Sequence, residues 1–175
     1  MKLVLFFPLL FVLLFTSLPP VQASSTPPPR AVDLIIEGDY VVTMSANDAV
    51  IRDGAVAILA GAIVAIDSRE TIHNRFAANK VVNGRDRVLM PGLVNGHSHM
   101  AMTLLRGLAD DLDLMTWLND FIFPAEVEFV DRAFVRAGTD LACWEMLAGG
   151  TTTVVDMYYF PDTVAESLAQ CGMRG

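Results

Sequence analysis

The chain has 175 residues, 53% of them hydrophobic, and sets 12 Lys and Arg against 20 Asp and Glu for a formal net charge of -8. So apolar a composition excludes an intrinsically disordered chain. The acidic balance argues against a nucleic-acid partner, because phosphate binding demands a basic patch.

Part of the hydrophobicity is confined to the N-terminus, MKLVLFFPLLFVLLFTSLPPVQASS. Lys2 supplies a positive n-region, Leu3 to Leu18 is apolar apart from Pro8, Thr16 and Ser17, and Val21-Gln22-Ala23 fits a cleavage site. Residues 1–23 are therefore read as a secretory signal peptide cut after Ala23. The alternative, an uncleaved anchor, needs a run of about 20 apolar residues, longer than this one. The protein is expected to be exported, periplasmic or extracellular, with no membrane attachment after cleavage. Residues 24–30, SSTPPPR, read as an extended linker, since consecutive prolines hold polyproline geometry. Export permits disulfides. Cys143 and Cys171 both fall in helical patterns, where the default is a small buried apolar residue. A bridge between them stays open, although no spacing rule demands it.

Residues 31–90 read as a small β domain. The segments VDLIIEG, YVVTM, GAVAILA, AIVAID and RVLM are rich in Val and Ile, and Gly38-Asp39, Asn47-Asp48, Asp53-Gly54, Gly61 and Asn83-Gly84 punctuate them, the pattern of a sheet of hairpins. ETIHNRFAANK reads as a helical turn or loop, with His73 a solvated surface histidine.

After Met90 the grammar changes. GLVNGHSH reads as a strand, and MTWLNDFIFPAE as a short helix ending before Pro124. DRAFVRAGTDLACWEML has helical spacing and stops at Gly149-Gly150. TTTVVDMYYF is a β-branched strand, and TVAESLAQCG a helix opened by a Thr163/Glu166 capping box and closed by Gly172. Strand, helix, strand, helix with apolar strands means parallel βα units. The expected fold class is α/β: residues 91–175 form the N-terminal part of a (β/α)8 TIM-like barrel, incomplete in this chain because a closed barrel takes about 250 residues. The competing reading, a small complete α/β domain, leaves a parallel sheet edge open.

Two of the three histidines, His97 and His99, sit one residue apart at the end of the first barrel strand. Side chains alternate along a strand, so both imidazoles face the same way and can hold one metal ion together. Imidazole suits several borderline metals and does not choose among them.

These residues resemble the metal-dependent amidohydrolase superfamily. The resemblance runs through VDLIIEGDYVVTM, PGLVNGHSHMAMTLLRGLADDLDLMTWLNDFIFPAE and AGGTTTVVDMYYFPD, nearly all of the chain after the leader. Pro91-Gly92-Leu93-Val94-Asn95 followed by His-x-His is its most specific part. Met102 to Gly107, with Trp117, Pro124 and Glu126, is most similar to the branch that deaminates S-adenosylhomocysteine and methylthioadenosine, related to triazine chlorohydrolases. Gly96 departs from the Thr, Ser or Ala more common there.

The resemblance implies a barrel preceded by a small β-sandwich-type domain, with His97 and His99 as metal ligands. The cofactor would be one divalent ion, zinc before iron. Glu126 would accept the ribose hydroxyls of a nucleoside, and Trp117 would line the pocket mouth; read from the residues alone, Glu126 is a helix N-terminal charge and Trp117 core packing. The remaining ligands and the acid–base residues are expected downstream of Gly175, so no catalytic residue is assigned in this chain, and the 175-residue product is expected to be inactive by itself. The implied activity is hydrolysis of a non-peptide carbon–nitrogen bond, deaminating an amino-purine nucleoside or related heterocycle: the ion acidifies a water that attacks the amino-bearing carbon, and an acid–base group carries the proton to ammonia. The alternative is a non-catalytic truncated metal-binding module. The partner would be a small molecule; self-association stays open. Asp156, ending the second strand, reads as a site residue or a structural hydrogen-bond acceptor. Asp110, Asp111 and Asp113 read as a solvated loop pinned by Arg106, and Met90, Met100, Met102 and Met115 as packing.

Overall fold

The computed structural model describes residues 27–175; the leader assigned to residues 1–23 and the start of the linker lie outside the described residues. Within them no helix is long and apolar enough to cross a membrane.

Five strands form the first sheet. β1 (Arg30–Val42) is central, paired antiparallel with β2 (Val50–Leu59), which pairs antiparallel with β3 (Ala62–Ser68). Asn47-Asp48 and Gly61 mark the turns of these hairpins, but Gly38-Asp39 and Asp53-Gly54, read as turns, lie inside β1 and β2, where Gly38 faces Gly54 across the ladder. The other edge differs from that pattern. β4 (Phe76–Val82) and β5 (Val88–Leu89) both run parallel to β1, one beside each half of it. The stretch read as one turn or loop is thus two elements: α1 (Arg69–Arg75), capped by Ser68 Oγ accepting from Thr71 N–H, and then β4. The helix is the crossover that a parallel return needs. It seats Ile72 among Val32, Ile35, Ala55, Ala57 and Phe76. His73 is not simply solvated: its Nε2 lies 2.8 Å from Glu37 Oε1, beside Arg69, which also reaches Asp39 and Asp53.

The second sheet pairs β6 (Leu93–Ser98) in parallel with β7 (Thr151–Asp156), as the βα reading requires, and an isolated parallel bridge from Thr153 to Arg174 extends it. Between them lie a 3₁₀ segment (Met100–Leu105), α2 (Leu114–Thr116), a wide π turn (Trp117–Ile122), α3 (Phe123–Phe129) and α4 (Arg132–Ala148); α5 (Pro161–Cys171) follows β7. The helix does not stop before Pro124. In a regular α-helix the proline ring would meet the carbonyl four residues back. Here Phe123 N–H bonds Leu118 O, five back, and the widened turn accommodates the ring.

α4 is capped by Asp131, whose carboxylate accepts from Phe134 N–H at 2.8 Å, and ends at Gly149. α5 starts two residues before the expected capping box, with Phe160 in the left-handed region and Pro161 in the first turn. Proline's fixed φ and missing N–H suit that position, so no side-chain cap is required. Thr163 is buried and accepts instead from Arg132 Nη1 at 3.0 Å, while Glu166 pairs with Arg136. Cys143 and Cys171 form a disulfide between α4 and α5, with Cα atoms 6.5 Å apart. It borders the core of Met100, Ala101, Val135, Ala142, Val154, Val164, Leu168 and Met173. Burial of each larger side chain there contributes about 1.5–3 kcal/mol.

Gly138 sets how closely α4 approaches the 3₁₀ segment. A Cβ there would lie 2.4 Å from Ala101 O and 2.8 Å from Ala101 Cα, both backbone atoms that have no rotamer to give. Helix propensity alone favours Gly138→Ala by about 1 kcal/mol. The contact outweighs this: overpacking costs about 1–3 kcal/mol, a net loss of up to about 2 kcal/mol, so thermal unfolding of Gly138→Ala should begin up to roughly 8 °C lower than wild type. A rise in Tm would contradict this packing.

Candidate metal centre

β6 ends at Ser98, one residue earlier than the strand pattern suggests, and His99 takes the N-cap position of the 3₁₀ segment. The pairing slips between Asn95 and Ser98: Asn95 faces Val154 and Ser98 faces Asp156, so three steps on β6 match two on β7. Gly96 and His97 occupy this bulge. His97 N–H bonds the Asn95 side chain at 3.2 Å. Bulges re-aim side chains near sites. Despite the broken alternation, the rings of His97 and His99 come together, with centroids 4.9 Å apart and planes at 85°.

The donor set fits a divalent ion. Two imidazoles on one ion, with metal–nitrogen bonds of about 2.0–2.1 Å, bring their rings to about this separation. His99 Nδ1 lies 2.5 Å from Met157 O. A carbonyl only accepts, so Nδ1 carries the proton and Nε2 keeps its lone pair for a ligand. Among the described residues no third His, Cys, Asp or Glu joins the pair.

The tip of β7 holds this corner. Met157 N–H donates to Ser98 O at 3.0 Å, and Asp156 Oδ1 accepts from Met100 N–H at 2.6 Å. Burial pushes the Asp156 carboxyl above its ordinary range, against the opposing pull of Met100 N–H and His99. The structural reading of Asp156 is the one realised.

His99 opens onto a cavity of about 550 Å³ that Trp117 and Glu126 also line, with Met102, Leu114, Leu118, Phe123 and Met157 as apolar wall. Three of the four residues singled out in the sequence therefore share one pocket, with His97 beside it. Glu126 is not free: Tyr158 donates to its Oε1 at 2.8 Å and Tyr159 to its Oε2 at 3.4 Å. Burial and then the Glu126 carboxylate push the Tyr158 hydroxyl well above its usual pKa, keeping it a donor. Each carboxylate oxygen retains a lone pair for a ligand hydroxyl. Trp117 Nε1 donates to Leu108 O at 3.2 Å and so ties the Gly107–Asp113 loop to the pocket wall. Arg106 pins that loop as expected, through a two-point ion pair with Glu145 on α4. Asp113 is more than solvated, capping Met115 and Thr116 N–H. Met100 is core, Met102 pocket wall. Tyr158 and Tyr159 were not identified from sequence; the available signal was their place just past the C-terminal end of a barrel strand, the side on which barrel sites form.

The arrangement is a pair of parallel βα units with two histidines meeting at the end of the first strand. Residues 88–175 match the amidohydrolase family model, and the chain belongs to that family. It is 44% identical over 143 residues to the 5-methylthioadenosine/S-adenosylhomocysteine deaminase 1 of Syntrophus aciditrophicus, an alignment covering 82% of this chain and 32% of that protein. An adenosine deaminase structure from Xanthomonas campestris with bound zinc superposes with TM-score 0.82 at 48% identity, over 84% of this chain and 34% of the other. A triazine hydrolase from Arthrobacter aurescens, at 21% identity and TM-score 0.73 over 81% of this chain and 34% of its own, shares the fold. The chain thus spans about a third of the length of the relatives it matches.

A Cβ on Gly96 would meet nothing within 4 Å, and its φ is not positive. Glycine in a strand costs roughly 0.5–1 kcal/mol relative to alanine. Gly96→Ala should therefore raise Tm by about 1–4 °C in thermal denaturation; a lower Tm would show that the bulge needs glycine.

Proposed function

We propose that this chain supplies the first two metal ligands and part of the nucleoside pocket of a metal-dependent aminohydrolase that removes ammonia from an adenosine-like nucleoside or related amino-heterocycle. The observation carrying this reading is the meeting of the His97 and His99 rings beside a pocket whose wall holds Glu126. The names of the similar proteins, deaminases of thioadenosines and adenosine, support it. His97 and His99 would hold a single divalent ion, zinc before iron. When bound, it supplies Lewis-acid activation of a water for attack on the amino-bearing carbon.

The rest of the chemistry here is binding and orientation. Glu126, oriented by Tyr158, accepts the two hydroxyls of a ribose diol, a match of two acceptors to two donors. Trp117, Leu114 and Phe123 give the base or the 5′ substituent an apolar wall that excludes water. With a small molecule as its only substrate and a leader at residues 1–23, the protein would act in the periplasm or outside the cell. No third ligand and no acid–base histidine accompany the pair among the described residues.

Titration of the purified chain with zinc tests the site. One equivalent should bind saturably, His97→Ala or His99→Ala should weaken it at least tenfold, and His73→Ala should leave it unchanged. Equal binding by all variants would remove the metal centre from these residues. In an ammonia-release assay with methylthioadenosine and zinc, the 175-residue chain should show no turnover above buffer. Turnover at enzymatic rates would refute the dependence on further barrel strands.

A further inference from the structure

We propose that Asp156 is a positioning residue for the metal ligand His99, supplying from the neighbouring strand the helix cap that His99 itself does not give. This rests on the reading above that His97 and His99 hold an ion. The first turn of any helix leaves backbone N–H groups without partners, and the N-cap side chain ordinarily accepts one. Here the N-cap residue is His99, which makes no such bond. Its ring Nδ1 is turned to Met157 O, and the residue lines the pocket. Asp156 Oδ1 takes the Met100 N–H instead, at 2.6 Å, across 56 positions of sequence.

That bond acts on His99 directly. Met100 N–H belongs to the peptide plane that His99 ψ controls, and His99 sits at φ -128° and ψ 74°, between strand and helix values. Asp156 therefore holds the backbone on the chain side of His99, while Met157 O holds the ring. Both anchors come from one rigid strand tip, itself registered by Met157 N–H on Ser98 O. Met100 and Ala101, fully buried against α4, close off movement from behind. With the cap removed, Met100 N–H is left without an acceptor, the His99 peptide can turn, and the ring loses its bond to Met157 O. A carboxylate makes a stronger acceptor than an amide oxygen, but the geometry needs only an acceptor at that place.

The test uses the 175-residue chain, with two variants and two readouts. Cobalt affinity, followed by its visible absorption, should fall about 10- to 100-fold in Asp156→Ala, the range typical of lost outer-shell support, and stay within about threefold of wild type in Asp156→Asn, which keeps the acceptor. In the metal-free chain, 15N NMR of the ring should show one Nδ1–H tautomer of His99 in wild type and Asp156→Asn, and a tautomer mixture in Asp156→Ala. Unchanged affinity and tautomer in Asp156→Ala overturn the proposal, as does an Asp156→Asn that is as impaired as the alanine variant. If wild type takes up no cobalt, the metal reading falls, and the tautomer comparison alone decides whether Asp156 positions the ring. Should Asp156→Ala not fold by circular dichroism, Asp156→Ser, whose hydroxyl is too short to reach Met100 N–H, takes its place in both comparisons.

Discussion

The site depends on one grip: the tip of β7 holds the end of β6. Met157 bonds Ser98 through its N–H and His99 through its carbonyl, and Asp156 takes the next N–H along. Three contacts from two consecutive residues convert a strand into a 3₁₀ segment at the point where the chain must also present two imidazoles. A strand end is normally the least constrained part of a sheet, because its ladder has run out. Here the ladder is continued by a side chain and by a carbonyl turned onto a ring.

The bulge at Gly96 and His97 follows from the same grip. β7 spends an extra residue between the partners of Leu93 and Val94, and β6 gives one back between Asn95 and Ser98, which restores the register at Ser98 and Asp156 and lets His97 approach His99. Behind the corner, Gly138 lets α4 come against Ala101, so the 3₁₀ segment is fixed from the core as well as from the sheet. The pocket is then completed by elements that have their own constraint. Pro124 forces the wide turn, and the rotation of that turn sets the face on which α3 carries Glu126 toward Tyr158 and Tyr159. Histidine pair, wall and carboxylate thus come from three segments that meet because β6 and β7 are adjacent and parallel.

Much of this was legible in the residues. Strand and helix identities after Met90 followed from apolar spacing, and the end of α4 from Gly149-Gly150, because capping and periodicity act over a few residues. The histidine pair was legible because it is local. What was not legible has one character. The parallel return of β4, the disulfide of Cys143 with Cys171, the Tyr158–Glu126 bond and the Asp156–Met100 bond all join residues 28 to 56 positions apart. Local misreadings had local causes: Pro124 looks like a stop unless a π turn is allowed, and Thr163 with Glu166 looks like a cap unless Pro161 has already begun the helix.

By itself, the sequence determined that two βα units follow a β-rich segment and that His97 and His99 stand one residue apart at a strand end, since propensity and spacing are properties of the chain alone. Only the tertiary structure decided how that pair is aimed, which tautomer His99 adopts and what orients Glu126. Those depend on register between β6 and β7, and register is settled by packing across the sheet rather than by any residue's immediate neighbours.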